Sequence, residues 1–106
     1  MLNLDTKPTI QDFQKYVKQL ELERGFDNQT ATQKGLLLGE EIGELFKAMR
    51  KHEAQLRVDE NSQVHDIGDE LADVFIYLCA IANRYDVDLE EAFRTKEEKN
   101  KTRVWK

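Results

Sequence analysis

Two acidic pairs at helical spacing are the residues of this 106-residue chain best suited to chemistry. Glu41 and Glu44 lie in the run L-G-E-E-I-G-E-L, and Glu70 and Asp73 lie in D-E-L-A-D-V. Residues three apart share one face of an α-helix, so each pair directs two carboxylates the same way. Both pairs lie within apolar stripes, where clustered acids lose hydration and repel one another unless cations bind them. Ligand sets made only of oxygen favour Mg²⁺, with Mn²⁺ as a substitute.

Antiparallel packing of the two segments would complete a metal site. It would set the pairs opposite one another, as in the carboxylate sites of helical bundles. Di-iron bundles combine Glu with His at this spacing, whereas His52 and His65 fall outside both pairs, so Mg²⁺ is favoured over iron or zinc. For any single acidic pair, the alternative is a solvated face of a charged bundle. The apolar surroundings of both pairs argue against that alternative here.

Hydrophobic residues recur at helical spacing in four segments, so the sequence predicts an all-α fold, a four-helix bundle. The first helix is predicted to span residues 9 to 24, with a capping box that begins at Thr9. The second is predicted to span residues 32 to 53, and it carries the first acidic pair. The fourth is predicted to follow a turn at residues 85 to 87, with Asp88 at its cap.

The third helix is predicted to be the most buried. Residues 54 to 63 lose the periodicity and are predicted to form an exposed connection, with Ser62 as the cap of this helix. An apolar stripe then runs from Ile67 to Ala82, and the second acidic pair and Tyr77 form a polar ridge beside it. Apolar or small residues occupy much of the circumference of this helix, more than the three other helices of a single chain readily cover. Oligomerisation through helix packing, as a homodimer or homotetramer, is therefore predicted.

Composition limits the classes of protein that fit. The chain has 35% charged and 40% hydrophobic residues, which suits a soluble single domain over residues 1 to 106. The net charge of −5 argues against binding nucleic acid. Cys79 is the single cysteine and is predicted to pack in the core. No apolar run is long enough for a membrane span, and residues 1 to 8 lack a signal-peptide pattern, so no membrane partner and a cytoplasmic location are predicted.

Three motifs in order give the chain a family resemblance. The runs are L-G-E-E-I-G-E-L, D-E-L-A-D-V-F-I-Y-L and D-L-E-E-A-F-R-T-K-E-E-K-N-K-T-R, between Lys34 and Arg103. This order resembles the MazG family of nucleotide pyrophosphohydrolases, within the all-α NTP pyrophosphatase superfamily. The resemblance implies metal on both acidic pairs and hydrolysis of nucleoside triphosphates, often noncanonical or deoxy forms, to monophosphate and pyrophosphate. It also implies dimers or dimer-based tetramers with sites built from more than one chain.

Further candidate residues follow from this resemblance and from the chemistry of phosphate transfer. Lys96, Asn100 and Arg103 are candidate phosphate contacts, since two of the three supply cationic donors. An exposed basic helix end is the alternative for them. Glu40 points about 100° away from Glu41 on a helix, so it is a candidate for orienting water or binding a further ion. The candidate catalytic residues are therefore Glu40, Glu41 and Glu44. The alternative for Glu40 is that it is a solvated acid on the surface.

Four other residues are candidates for contacts with the substrate. Tyr77 continues the ridge of the second acidic pair, and Phe26 and Trp105 are candidates for base stacking. Lys34 precedes the first acidic pair and is a candidate phosphate contact. Packing or interface roles are the alternatives for the three aromatic residues. The segment from Gly25 to Thr32 departs from family members that carry Trp and His for base recognition, so the preferred base stays open.

Two other functions are compatible with the sequence. One keeps the fold and changes the substrate to phosphoribosyl-ATP, as in histidine-pathway relatives of the family. The other is a non-catalytic helical interaction or regulatory module, in which the acids pair with basic residues across an oligomer interface. Metal binding separates this last alternative from the enzymes, because salt-bridged carboxylates would neither bind Mg²⁺ nor require it.

Overall fold

A computed structural model describes residues 2–53 and 60–104 of the chain. Every regular element within these ranges is an α-helix, which confirms the predicted all-α fold with four helices. In chain order the helices are α1 (Ile10–Arg24), α2 (Ala31–Glu53), α3 (Glu60–Arg84) and α4 (Leu89–Lys101). None of these helices is long and apolar enough to cross a membrane.

The caps predicted for the first and last helices are both present. The Thr9 hydroxyl accepts a hydrogen bond from the Asp12 backbone N–H at 3.1 Å, and the Asp12 carboxylate accepts one from the Thr9 N–H at 2.9 Å. At α4, the Asp88 side chain accepts a hydrogen bond from the Glu91 N–H at 3.1 Å. These side chains satisfy N–H groups that have no partner within the helix, so they fix where each helix begins.

The beginnings of α2 and α3 differ from the prediction. A second capping box, in which Thr30 and Gln33 exchange hydrogen bonds of 2.8 and 3.1 Å, begins α2 one residue earlier than predicted. The T-x-x-Q pattern in the sequence signals this cap. The connection predicted for residues 54 to 63 is wrong for residues 60 to 63, because α3 already begins at Glu60 and Ser62 lies inside it. The rest of that connection, residues 54 to 59, lies outside the described residues.

Two residues with a left-handed backbone conformation follow the ends of α1 and α3. Gly25 has φ 77° after α1, and its N–H donates to the Glu21 carbonyl. Asp86 has φ 54° in the predicted turn between α3 and α4. Glycine and, less readily, aspartate tolerate this conformation, so the chain reverses at both points.

Helices α2 and α3 pack against each other most extensively, and they run antiparallel. Lys34 near the start of α2 meets Tyr77 late in α3, whereas Glu41 meets the earlier Glu70. Helix α1 packs on α3, and α4 packs mainly on α1. The two acidic pairs are therefore carried by the helices that share the largest contact.

The buried core lies between α1 and the second half of α3. Val17, Leu20, Cys79 and Ala80 form it, and the rings of Phe13 and Phe75 meet edge to face beside it, with centroids 5.2 Å apart. Cys79 is fully buried, which confirms its predicted place in the core. Burial raises the pKa of its thiol to about 11, so the sulfur stays protonated and unreactive at neutral pH.

One buried amide connects three elements at the end of this core. The Gln14 side chain donates to the Val87 carbonyl at 2.8 Å and to Asn83 Oδ1 at 3.2 Å, and it accepts from the Leu89 N–H at 2.9 Å. Asn83 donates back to the Gln14 carbonyl at 2.9 Å. These bonds fix α1 to the end of α3, to the turn and to the start of α4, so they set the position of α4.

We therefore expect Gln14→Leu to destabilise the protein. Leucine fills a similar volume but leaves the Val87 carbonyl and the Leu89 N–H without their partner, at a cost of about 2–4 kcal/mol in the free energy of unfolding. Urea unfolding followed by circular dichroism measures this cost. The exposed Gln19 on the same helix is the matched control, and Gln19→Leu should change stability by less than about 0.5 kcal/mol. Equal midpoints for the two variants would show that the amide network contributes nothing to stability.

Candidate metal centre

Helices α2 and α3 bring three of the four predicted acids together. Glu41, Glu70 and Asp73 are each partly buried and each offer one carboxylate oxygen, and these three oxygens lie within 4.8 Å of one another. The i, i+3 spacing places Glu70 and Asp73 on one face of α3, and the antiparallel packing sets Glu41 opposite them. We call these three residues the carboxylate cluster.

The surroundings of Glu41 disfavour the charged form of its carboxyl. Burial raises the pKa of Glu41 above its ordinary value, and the hydrogen bond with Glu70 and the negative charges of Asp73, Glu70 and Glu44 raise it further. Each cause disfavours the ionised form of the carboxyl. A divalent cation among these oxygens would reverse the balance, because it attracts every charge that otherwise repels its neighbours.

An oxygen without a partner also points to a cation at this site. Among the described residues, Glu70 Oε2 is buried and accepts no hydrogen bond. Buried carboxylate oxygens ordinarily have hydrogen-bond donors or metal ions beside them. A donor set composed only of carboxylate oxygens suits Mg²⁺ or Mn²⁺ rather than softer metals. The residues present therefore fit the predicted type of ion.

Two acids assigned to the site from sequence are exposed. Glu44 is exposed and lies outside the carboxylate cluster, although its charge acts on Glu41. Glu40 is exposed as well, and its charge reaches Tyr77. A metal-binding role for Glu44 and a catalytic role for either residue stay predictions.

Tyr77 borders the carboxylate cluster one turn beyond Asp73. Burial raises the pKa of its hydroxyl, and the charges of Glu41, Asp73 and Glu40 raise it further. The Lys34 ammonium lies 5.2 Å from the centroid of the Tyr77 ring. Tyr77 thus lies beside the acids on α3, where the sequence placed it, and its role as a substrate contact stays a prediction.

Lys34 is buried and lies beneath the loop that precedes α2. It is 4% exposed, and its Nζ lies 3.0 Å from Glu21 Oε2 and 5.2 Å from the centroid of the Phe26 ring. Phe26 is 42% exposed, so one part of its ring faces solvent. The ammonium of Lys34 is therefore bound to a carboxylate in this structure, and a contact with phosphate stays a prediction for it.

Sequence reasoning missed Glu21 and Arg84, which complete this group of buried charges. Arg84 donates to both carboxylate oxygens of Glu21 at 2.9 Å. Burial by itself would raise the pKa of Glu21, but the hydrogen bonds and charges of Arg84 and Lys34 hold it below its ordinary value. One signal was available: Glu21 lies four residues after Val17, at an apolar position of the α1 stripe.

The other candidate phosphate contacts lie on α4 or after its end, and not on α2 or α3. Lys96 is exposed, and Asn100 is partly buried with its Oδ1 lacking a hydrogen bond among the described residues. Arg103 is exposed and follows the end of α4. Since α4 packs mainly on α1, these residues do not share the contact between α2 and α3 that forms the carboxylate cluster. Their role stays a prediction, and Trp105 lies outside the described residues.

The fold and site define an all-α protein with an acidic centre suited to a divalent cation. Comparison with protein-family models identifies the chain more closely: the model of the MazG nucleotide pyrophosphohydrolase domain matches residues 28–105. The chain belongs to this family, which confirms the resemblance seen in its motifs. A search of curated proteins found no match.

The matched region contains both acidic pairs and the helices α2, α3 and α4. It begins after α1, so Glu21 and Gln14 lie outside it. The family match therefore includes the carboxylate cluster, whereas the contacts that α1 makes with the site come from the structure alone.

The carboxylate cluster generates a prediction about metal and pH. Because the pKa of Glu41 is raised in the folded state, its contribution to the stability of the metal-free protein should be largest below about pH 4.5 and should be lost as pH rises from there through the raised pKa. Saturating Mg²⁺ at neutral pH should restore stability, by about 2.7 kcal/mol at 100 times its Kd. Thermal unfolding with and without Mg²⁺ measures both effects.

Glu41→Gln and Asp73→Asn should abolish the gain from Mg²⁺, and Glu41→Gln should also flatten the pH dependence of the metal-free protein. The exposed Glu97 on α4 is the control, and Glu97→Gln should keep both behaviours. Unchanged Mg²⁺ affinity in both cluster variants would contradict the assignment of these residues as ligands.

Proposed function

We propose that this protein is a Mg²⁺-dependent hydrolase of nucleoside triphosphates or their deoxy forms, acting on noncanonical or excess nucleotides. Its products would be the nucleoside monophosphate and pyrophosphate. The observation that carries the proposal is the carboxylate cluster between α2 and α3, in a chain that belongs to a family of nucleotide pyrophosphohydrolases. Triphosphates are bound and cleaved with the help of cations held by carboxylates, which is the arrangement that these helices offer.

Glu41, Glu70 and Asp73 would hold the ion, with Glu44 as a fourth ligand. A bound Mg²⁺ would neutralise phosphate oxygens and lower the pKa of water at the site. In the proposed reaction, a water oxygen bonds to the α-phosphorus, and the bond from that phosphorus to the bridging oxygen breaks. Pyrophosphate leaves with the electron pair of that bond. Glu40 would accept the proton that water loses, since it is an exposed carboxylate adjacent to Glu41 in the chain.

The basic residues of α4 and the segment after it would bind the departing phosphates. Lys96 and Arg103 supply positive charge, and Asn100 would donate hydrogen bonds from its amide N–H groups. Charge-assisted hydrogen bonds of this kind are stronger than neutral ones and suit phosphate oxygens. Phe26 and Trp105 are proposed to contact the base, and Tyr77 the sugar or base.

A nucleotide panel with pyrophosphate detection, run with and without Mg²⁺, tests this function. Cleavage of phosphoribosyl-ATP, with no turnover of nucleoside triphosphates, would favour the relative of the histidine pathway. Absence of both turnover and Mg²⁺ binding would favour the non-catalytic interaction module. Mg²⁺-dependent release of pyrophosphate from one or more triphosphates is the result that we expect.

The bond cleaved gives a sharper prediction. In ¹⁸O-labelled water, mass spectrometry should find the label in the nucleoside monophosphate, because water attacks the α-phosphorus. Arg103→Ala should raise KM for the triphosphate and weaken binding of the monophosphate much less, since the lost contact is to the departing phosphates. Arg94→Ala, at an exposed arginine of α4, is the control. Release of orthophosphate and nucleoside diphosphate would contradict the pyrophosphohydrolase assignment.

We also propose that the protein assembles through an apolar face of α3. Leu71, Leu78 and Tyr85 are 52%, 43% and 64% exposed, although each is large and hydrophobic. They lie seven residues apart, so Leu71 and Leu78 follow one another along one side of α3, and Tyr85 comes directly after the helix ends at Arg84. On α2, Leu36 and Phe46 are 71% and 63% exposed. Large apolar surfaces of this kind are commonly covered by a partner, here a second copy of the chain in a homodimer or homotetramer.

Sedimentation at micromolar concentration should therefore show a dimer or tetramer. Leu78→Glu should shift the protein to monomer, because burying the new charge in an apolar interface is costly. The matched control is Leu22→Glu, at a leucine of α1 that is 53% exposed, and this variant should keep the wild-type assembly. A monomeric wild-type protein with full activity would refute the proposed assembly.

A further inference from the structure

Arg84 uses all of its hydrogen-bond donors within the protein. Two of its N–H groups bind the carboxylate of Glu21, each at 2.9 Å. The other three donate to the carbonyls of Ala80 at 2.9 Å, Gln29 at 2.8 Å and Phe26 at 3.1 Å. A guanidinium has five N–H donors, so none is left for another ligand. Since Phe26 and Gln29 belong to the loop between α1 and α2, Arg84 holds that loop against α3.

Glu21 binds a second cation on the same carboxylate. The ammonium of Lys34 lies 3.0 Å from Glu21 Oε2, and the two side chains are only 5% and 6% exposed. A buried ammonium is stable when an anion and further electron-rich groups surround it. Here the rings of Phe26 and Tyr77 provide those groups, each with its centroid 5.2 Å from Nζ. Lys34 is thus fixed on several sides by the fold.

This arrangement connects the loop to the carboxylate cluster. Phe26 belongs to the loop, and Tyr77 lies one helical turn after Asp73 of the cluster. Lys34 lies in contact range of both rings, two turns before Glu41 on the inner face of α2. A shift of the lysine would therefore disturb both rings, and the Tyr77 ring lies beside the carboxylate cluster.

We propose that Lys34 is a positioning residue, whose buried ammonium holds the rings of Phe26 and Tyr77 in place. These two rings, which we call the wall, would contact the nucleoside end of the substrate. Glu21 and Arg84 support Lys34 by fixing the ammonium and the loop. This inference rests on the proposed function. It is an alternative to the role predicted for Lys34 from sequence, a direct contact with phosphate, and it accounts for the ion pair of the ammonium with Glu21 and for the two rings beside it.

Two substitutions distinguish these roles by the direction of their effects. Lys34→Met removes the cation while keeping a similar volume, and it leaves Glu21 paired with Arg84. Glu21→Gln keeps both cations but removes their anion. If Lys34 positions the wall, both changes loosen it and both raise KM. If Lys34 binds phosphate, Glu21→Gln releases the ammonium toward the substrate, so KM should fall or stay constant.

The experiment uses the 106-residue chain, Mg²⁺ and the triphosphate that is hydrolysed fastest in the nucleotide panel. We expect Lys34→Met to raise KM roughly tenfold or more, as displaced binding groups do. Inorganic tripolyphosphate, which has no nucleoside, serves as a competitive inhibitor. Its Ki should stay within about twofold of the wild-type value, because the phosphate contacts are intact. Lys47→Met, at an exposed lysine on the opposite face of α2, is the matched control and should leave KM unchanged.

Hydrogen exchange supplies a readout that does not depend on turnover. The amides of Phe26 and Gln29 are bonded to the carbonyls of Glu21 and Phe26 at 2.8 and 3.2 Å. Their exchange should be faster in Lys34→Met than in the wild type, and unchanged in Lys47→Met, because only the first substitution loosens the loop.

Three results would overturn the positioning role. They are a wild-type KM in Lys34→Met, a tripolyphosphate Ki that rises in step with KM, and a lowered KM in Glu21→Gln. If Glu21→Gln fails to fold, the first two results decide, since Lys34→Met keeps the pair of Glu21 with Arg84. A wild-type protein without Mg²⁺-dependent turnover would instead overturn the proposed function, and this inference with it.

Discussion

The close approach of three carboxylates between α2 and α3 is the constraint on which the rest of the structure depends. Three oxygens within 4.8 Å, one group with a raised pKa and one buried oxygen without a partner are unfavourable together. Packing of the two long helices holds the acids in place despite this repulsion. The same unfavourable arrangement makes the site receptive to a divalent cation, because the free energy of repulsion is released when the cation binds.

A second group of buried charges lies beside the first and is balanced differently. Glu21 has two cationic partners, Lys34 and Arg84, so this group has an excess of positive charge and the carboxylate cluster an excess of negative charge. Every donor of Arg84 is satisfied, whereas Glu70 in the cluster has an unsatisfied oxygen. Satisfied networks of this kind favour one geometry, and unsatisfied groups favour binding. The contrast separates the part of the site that is rigid from the part that is ready for a ligand.

The sequence by itself determined much of the local structure. Hydrophobic periodicity predicts the helices, and Thr9 and Asp88 fix where two of them begin, because capping depends on side chains within one turn. The spacing of the acidic pairs likewise places Glu70 and Asp73 on one face, and the order of the motifs identifies the family. The cap at Thr30 was missed although its T-x-x-Q pattern is a local signal, and the start of α3 at Glu60 was missed because helical periodicity is recognisable only later in that segment.

Only the tertiary structure decided which distant groups meet. Glu21 and Arg84 are separated by 63 residues, and no local spacing connects them, so their pairing depends on how α1 packs against α3. Packing also placed Glu41 in the carboxylate cluster and left Glu44 exposed, although both belong to the same pair in the sequence. The physical reason is that helical spacing determines only on which side of its own helix a residue lies. Burial and ion pairing are settled by the neighbouring helix that covers that face.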